Sequence, residues 1–172
     1  MKDVLRRQRV LKDEIVDILN RQIKMEAHSS AAYLAMAAWC DIRGYDNSAE
    51  FFFKQSEEER KHQMKLFHYL CDMECQAISP TVGESEHDFG SLKKVFEKSL
   101  DIEVAVSDAI HEIVNDCRKY NDIATEEFMK WFVMEQIEEE YIARRALEVL
   151  GEDKIALGMF EERILDIEYG AE

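Results

Sequence analysis

Proline is almost missing from this chain, with one residue at Pro80 among 172, and glycine occurs only six times. Both residues punctuate turns, so a fold of many short strands and tight turns is excluded. No stretch reaches the roughly 18 consecutive apolar residues of a membrane span, and no membrane role is expected. Basic residues are outnumbered. Against 37 Asp and Glu stand 22 Lys and Arg, a net charge of -15. That balance disfavours nucleic acid and anionic membranes and favours cations as partners. Cysteine is sparse as well. Cys40, Cys71, Cys75 and Cys117 all fall in helical segments, outside any loop-rich disulfide framework, and no Cys-x-x-Cys pair occurs. Unpaired thiols point to a reducing, cytoplasmic compartment. Residues 1–10 are polar and basic (Lys2, Arg6, Arg7, Arg9) and lack the apolar centre of a secretory signal, so they read as a solvated arm.

What the chain does contain is helical periodicity throughout, enough for one domain with a substantial core. Caps and stops place helices over 13–43, 48–74, 91–120, 125–150 and, shorter, 154–167. Asn47 and Ser48 are the cap candidates of the second helix, Ser91 of the third and Thr125 of the fourth, which stops at Gly151. The four long helices each span roughly 40 Å at 1.5 Å per residue. Residues 76–90 form the one long connection. An antiparallel neighbour needs far fewer residues, so this segment is expected to cross the length of a four-helix bundle and leave the second and third helices parallel. The fifth segment is apolar on several faces (Ile155, Leu157, Met159, Phe160, Ile164, Leu165, Ile167) and is expected to pack against other subunits.

Each long helix carries an anomaly on its apolar stripe. Glu26 interrupts Ile15, Leu19, Ile23, Ser30, Tyr33 and Ala37. Glu59 and His62 sit in Phe52, Gln55, Leu66, Leu70 and Met73, at the i, i+3 spacing that shares a helix face. Glu103 interrupts Leu92, Phe96, Ser99, Val106, Ile110 and Ile113. Gln136 and Glu139 interrupt Phe128, Phe132, Ala143, Ala146 and Leu150. Glu26, Glu59, Glu103 and Gln136 lie 13, 11, 12 and 11 residues beyond the expected helix starts, close to mid-helix every time. A mid-helix position keeps its level whichever way the helix points, so all four converge on one layer. Charge on a core face is costly unless compensated, and no Lys or Arg lies on these stripes. The counter-charge is therefore a metal.

One Glu from each of two helices, with Glu-x-x-His motifs from the others, is the pattern of carboxylate-bridged di-iron bundles. Carboxylates and imidazole suit Fe²⁺, and a hard oxygen-rich site stabilises Fe³⁺. The expected assignment puts Glu26 and His62 on one iron, Glu103 and Glu139 on the other, and Glu59 between them. Because the fourth helix offers Gln136-x-x-Glu139 in place of a second Glu-x-x-His, the second iron lacks a histidine and is expected to bind more weakly.

On these residues the chain resembles the ferritins, specifically the non-haem bacterial type, from about Leu11 to Ile167. The resemblance rests on Glu26-x6-Tyr33, Glu58-Glu59-x-x-His62, Glu103, and Trp131-Phe-Val-x-Glu135-Gln136-x-Glu138-Glu139. It implies an all-α, ferritin-like four-helix bundle with a long crossover and a short fifth helix, assembled as a 24-subunit hollow shell. It implies that O₂ or peroxide oxidises Fe²⁺ at the di-iron centre and that the product is stored inside as a ferric oxide mineral. The tyrosine matching Tyr33 bonds a ligand in ferritins and can act in electron transfer. Glu58, Glu135 and Glu138 resemble a third iron site beside the centre, and Thr125-Glu126-Glu127 matches the region lining three-fold channels.

The chain also departs from related families. Arg60 stands where haem-binding bacterioferritins carry their ligating methionine, so haem is not expected. The missing Cys-x-x-Cys removes the rubredoxin-like site of rubrerythrins. His28, His68, His87 and His111 have no ligand partner at fixed spacing, and Trp39 and Trp131 read as packing anchors. Two other functions compete with iron storage. A partner-binding helical bundle would have wholly apolar stripes, and a di-iron oxygenase for an organic substrate would need a substrate pocket.

Overall fold

A computed structural model describes residues 11–151 and 157–167. Five helices make up most of it: α1 Asp13–Asp41, α2 Asp46–Asp72, α3 Leu92–Tyr120, α4 Ile123–Leu150 and α5 Leu157–Ile164. The basic arm at 1–10 and residues 154–156 of the expected fifth helix lie outside the described residues. Among those described there is no strand, and no helix is long and apolar enough to cross a membrane.

Two helix pairs are joined by short turns. Between α1 and α2, Gly44 takes φ +75, a left-handed conformation that glycine adopts without steric cost. Between α3 and α4, Asn121 is left-handed at φ 55; its N–H donates to the Arg118 carbonyl at 3.2 Å, and the Asp122 N–H to the Cys117 carbonyl at 2.8 Å. Asp122 then caps α4. Its carboxylate accepts the Thr125 N–H at 3.1 Å and the Thr125 hydroxyl at 2.7 Å. Thr125 is thus the residue capped, not the cap, and α4 begins earlier than expected.

The start of α2 also differs from expectation. Asn47 and Ser48 lie inside the first turn, and their backbone N–H groups donate to Glu161 Oε2 at 2.9 and 3.2 Å. The Asn47 amide in turn donates to the Glu161 carbonyl at 2.7 Å. The cap of α2 therefore comes from α5, far along the chain. Glu161→Ala is expected to cost about 0.5–2 kcal/mol, the usual range for a lost cap. A thermal melt should register this as a lower Tm.

Residues 74–91 run alongside α1. Near its start, Asn20 donates to the Gln76 carbonyl at 3.0 Å and accepts from the Ile78 N–H at 2.8 Å. Farther on, His28 Nε2 accepts the Gly83 N–H at 3.4 Å. At its end, the Phe89 ring meets Trp39 edge-on at 6.1 Å. The connection thus covers the length of α1, and α3 starts where α1 finishes. α2 and α3 are parallel.

The core is in two parts. One groups Tyr33, Met36, Phe51, Phe52, Phe96 and Val149 at the end where α1 finishes. The other groups Ile15, Leu19, Leu66, Leu70, Ile110, Met129 and Phe132 at the opposite end. Phe160 and Ile164 of α5 belong to the first and are fully buried, with the Phe160 ring edge-on to Phe96 at 5.3 Å. The expectation that the fifth segment packs against other subunits is corrected for this face. A fifth helix has no room inside a four-helix core, but it fits across the end of one. Leu157 and Met159 remain exposed on the other side of α5.

Candidate metal centre

Between the two apolar clusters lies a buried polar layer. Glu26, Glu59 and Gln136 each fall 14 residues after their observed caps (Lys12, Tyr45 and Asp122), and Glu103 falls 12 after Ser91. Matched depth on helices of similar length brings them to one level. Glu26, Glu59, His62, Glu103, Gln136 and Glu139 are all at most 5% exposed. Among the described residues no Lys or Arg is buried with them.

Glu26, Glu59 and His62 each present a ligand atom, all within 4.8 Å of one another. His62 Nδ1 lies 3.6 Å from Glu59 Oε2. That oxygen and Glu26 Oε2 are buried without a hydrogen-bond partner among the described residues. Buried polar atoms are rarely left so. Two orphaned carboxylate oxygens beside an imidazole nitrogen are what a cation would satisfy.

Glu103 is turned differently. The Tyr33 hydroxyl donates to its Oε1, and Gln136 Nε2 donates to its Oε2 at 3.1 Å. The Gln136 amide nitrogen is thereby committed, leaving its carbonyl oxygen as the atom able to face a metal. Tyr33 is wholly buried and stacks on Phe52 at 5.9 Å. Burial and the charge of Glu103 hold the phenol well above its usual range, so it stays a donor. Glu139 accepts from Gln55 Nε2 at 2.7 Å, and Glu26 Oε1 accepts from Gln22 Nε2 at 2.8 Å. The sequence reading gave Gln22 and Gln55 no role. Gln55 lies on the stripe of Glu59, and Gln22 one turn before Glu26, which was the available signal.

His62 also meets Glu135 and Glu139 in a second close group, with its Nε2 3.9 Å from Glu135 Oε1. Of the expected third-site residues, half-buried Glu58 lines the same surface cavity as Glu135, about 430 Å³ in volume. Glu138 is exposed and outside the close group. Trp131 lies in that cavity wall, edge-on to His62 at 5.5 Å and under the Lys65 ammonium at 4.0 Å. Of the expected channel acids, Glu126 pairs with Arg118 at 2.8 Å and Glu127 with Lys130. Within one chain each therefore has its own cation.

Burial, then the charges of neighbouring acids, push the carboxyls of Glu26, Glu59 and Glu139 well above the ordinary 4.5. Glu103 is raised as well, chiefly by burial. In the unfolded chain these acids ionise near their ordinary value, so from there upward the folded metal-free protein holds more protons. Its stability should therefore fall as pH rises through that window. A divalent ion must displace those protons, and uptake of Zn²⁺ at a pH inside that window is expected to release protons. Calorimetry in buffers of different ionisation enthalpy measures this, and zero release would contradict the raised carboxyls.

A four-helix bundle with a carboxylate–imidazole layer at mid-height defines the ferritin-like class of helical proteins. Residues 16–151 match the ferritin-like domain family. A bacterial non-heme ferritin of Staphylococcus aureus is 34% identical over 158 residues, covering 90% of this chain and 95% of that protein. A probable bacterial non-heme ferritin-like protein of Haemophilus influenzae is 33% identical over 156 residues, covering 89% and 94%. Among solved structures, an open pore ferritin from the archaeon Archaeoglobus fulgidus superposes with a TM-score of 0.86 at 32% identity, covering 91% of this chain and 98% of that one. The chain belongs to the ferritin family, as a non-haem ferritin of the bacterial type.

Proposed function

We propose that this chain is an iron-storage ferroxidase, oxidising Fe²⁺ at an intra-subunit di-iron centre and storing the product as a ferric oxide mineral within a homo-oligomeric shell, of 24 subunits by the family pattern. The observation that carries the reading is the pair of unpartnered oxygens on Glu26 and Glu59 beside His62 Nδ1. Glu26 and His62 hold one Fe²⁺, Glu103 and Glu139 hold the other, and Glu59 bridges them. Clustered carboxylates favour the higher charge of Fe³⁺. Each Fe²⁺ gives up one electron. Dioxygen takes the pair with two protons to leave as hydrogen peroxide, or peroxide takes the pair with two protons to leave as water. Tyr33 keeps Glu103 in place by donating to it.

The test is aerobic addition of two Fe²⁺ per subunit, then excess, with ferric absorbance and particle size followed together. Fast oxidation followed by mineral growth inside a particle of constant size supports the proposal. Slow, background-rate oxidation would sink it. A bundle that only binds partners predicts that second result.

Glu58, Glu135 and Glu138 are proposed to take a further iron beside the centre, with Glu135 nearest to it. Glu135→Ala is therefore expected to leave oxidation of the first two irons fast. It should change the iron-to-oxygen ratio and slow recovery before a second Fe²⁺ addition. Oxygen-electrode traces of two successive additions check this.

A further inference from the structure

Three buried glutamines each donate an amide N–H to a different acid of the layer. Gln22 serves Glu26 at 2.8 Å, Gln55 serves Glu139 at 2.7 Å, and Gln136 serves Glu103 at 3.1 Å. Glu59 has no such glutamine, and its Oε2 is unpartnered. We propose that Gln22 and Gln55 are positioning residues for the two metal positions, each fixing one carboxylate by a neutral donor so that it is aimed but not neutralised. The proposal rests on the reading that the layer holds two metal ions.

The choice of an amide has a physical reason. Buried acids this close repel one another, and a carboxylate without a donor turns away or takes up a proton. A Lys or Arg would hold it, but would also supply the positive charge that the layer otherwise draws from a cation. An amide donates a hydrogen bond to a charged acceptor, the stronger kind, and adds no charge. Glu26 illustrates the outcome: Oε1 is held by Gln22, Oε2 has no partner, and the residue still shares a close group with Glu59 and His62. Gln22 acts within α1, one turn before its acid. Gln55 acts across the bundle, from α2 to α4, and so reaches the other metal position. The acid without a glutamine is the one assigned to bridge, which must remain free to turn between two ions.

The effects should therefore separate by position. Gln22→Met and Gln55→Met keep length and volume but remove the donor. The full-length assembled proteins are titrated with Co²⁺, which air does not oxidise under these conditions, followed by calorimetry and the visible absorption of the bound ion. The unsubstituted protein is expected to bind two Co²⁺ per subunit. Gln22→Met should weaken one of them about 10- to 100-fold, the usual effect of losing a group that orients a ligand. Gln55→Met should weaken the other, with a different change in the Co²⁺ spectrum. If both variants bind Co²⁺ as the unsubstituted protein does, the glutamines do not position the acids and the proposal is overturned. Equal loss at both positions in each variant would show a general packing defect and overturn it too. No Co²⁺ binding by the unsubstituted protein would instead remove the metal reading, and this proposal with it.

Discussion

Glu59→Gln is expected to lower the initial rate of Fe²⁺ oxidation by about 10²-fold or more while raising the melting temperature of the metal-free protein. Losing a group that merely orients a ligand costs metal sites about 10- to 100-fold, and Glu59 is assigned as the ligand shared by both ions. The stability gain has a separate cause. Glu59 is 1% exposed, faces Glu26, and has the charges of Glu103 and Glu139 acting on it. Removing one member of a buried like-charge cluster relieves repulsion and a desolvation cost. For a chain of this size each kcal/mol gained raises Tm by about 2–4 °C. His62→Ala should match the loss of rate. Stopped-flow absorbance at two Fe²⁺ per subunit, run beside melts of metal-free protein, measures both halves. Unchanged oxidation in both variants would remove these residues from the site.

Phe160→Ala is expected to destabilise the subunit itself, by about 3–5 kcal/mol, the range for a fully buried phenylalanine. Phe160 has no exposed surface, meets Phe96 edge-on, and shares its cluster with Phe51, Ala146 and Val149. Truncation after Gly151 should do worse, because it also removes Ile164 and the Glu161 carboxylate that caps α2. Denaturant unfolding followed by circular dichroism checks both. A shell that dissociates into subunits of unaltered stability would show that α5 serves only assembly.

Much of the fold could be read along the chain because each long helix has one stripe, and each stripe has its acid at the middle. Ser91 and the long connection at 76–90 were legible for the same reason, since both rest on local chemistry. Other positions depend on distant residues, or on which of two neighbouring side chains does the capping. Asn47 and Ser48 look like caps, and only the folded chain brings Glu161 to their N–H groups. Asp122 and Thr125 are both residue types that cap helices, and the Thr125 hydroxyl is spent on that aspartate. Phe160 and Ile164 read as surplus apolar surface because nothing in their own segment says that the bundle end is open to them. At the site, acids on an apolar stripe are conspicuous and a glutamine is not. Gln22 and Gln55 became visible only through the oxygens they hold. Glu138, expected beside the centre, is exposed and lies outside the close groups.

The division of the core by a charged layer also decides which neighbouring structures the chain avoids. Helices joined only by leucines and phenylalanines can slide past one another by a turn, about 5.4 Å, and still bury their stripes. Here such a slip of α2 in one direction would carry Glu59 and His62 toward Leu19 and Ile23 of one apolar cluster. A slip in the other direction would carry them toward Phe96 of the second cluster. Either way they would leave the acids and amides of the other helices. Among apolar side chains these groups would be out of reach of a cation shared with Glu26. Uncompensated buried charge is costly, so with a cation bound a single vertical alignment of the helices keeps the layer together.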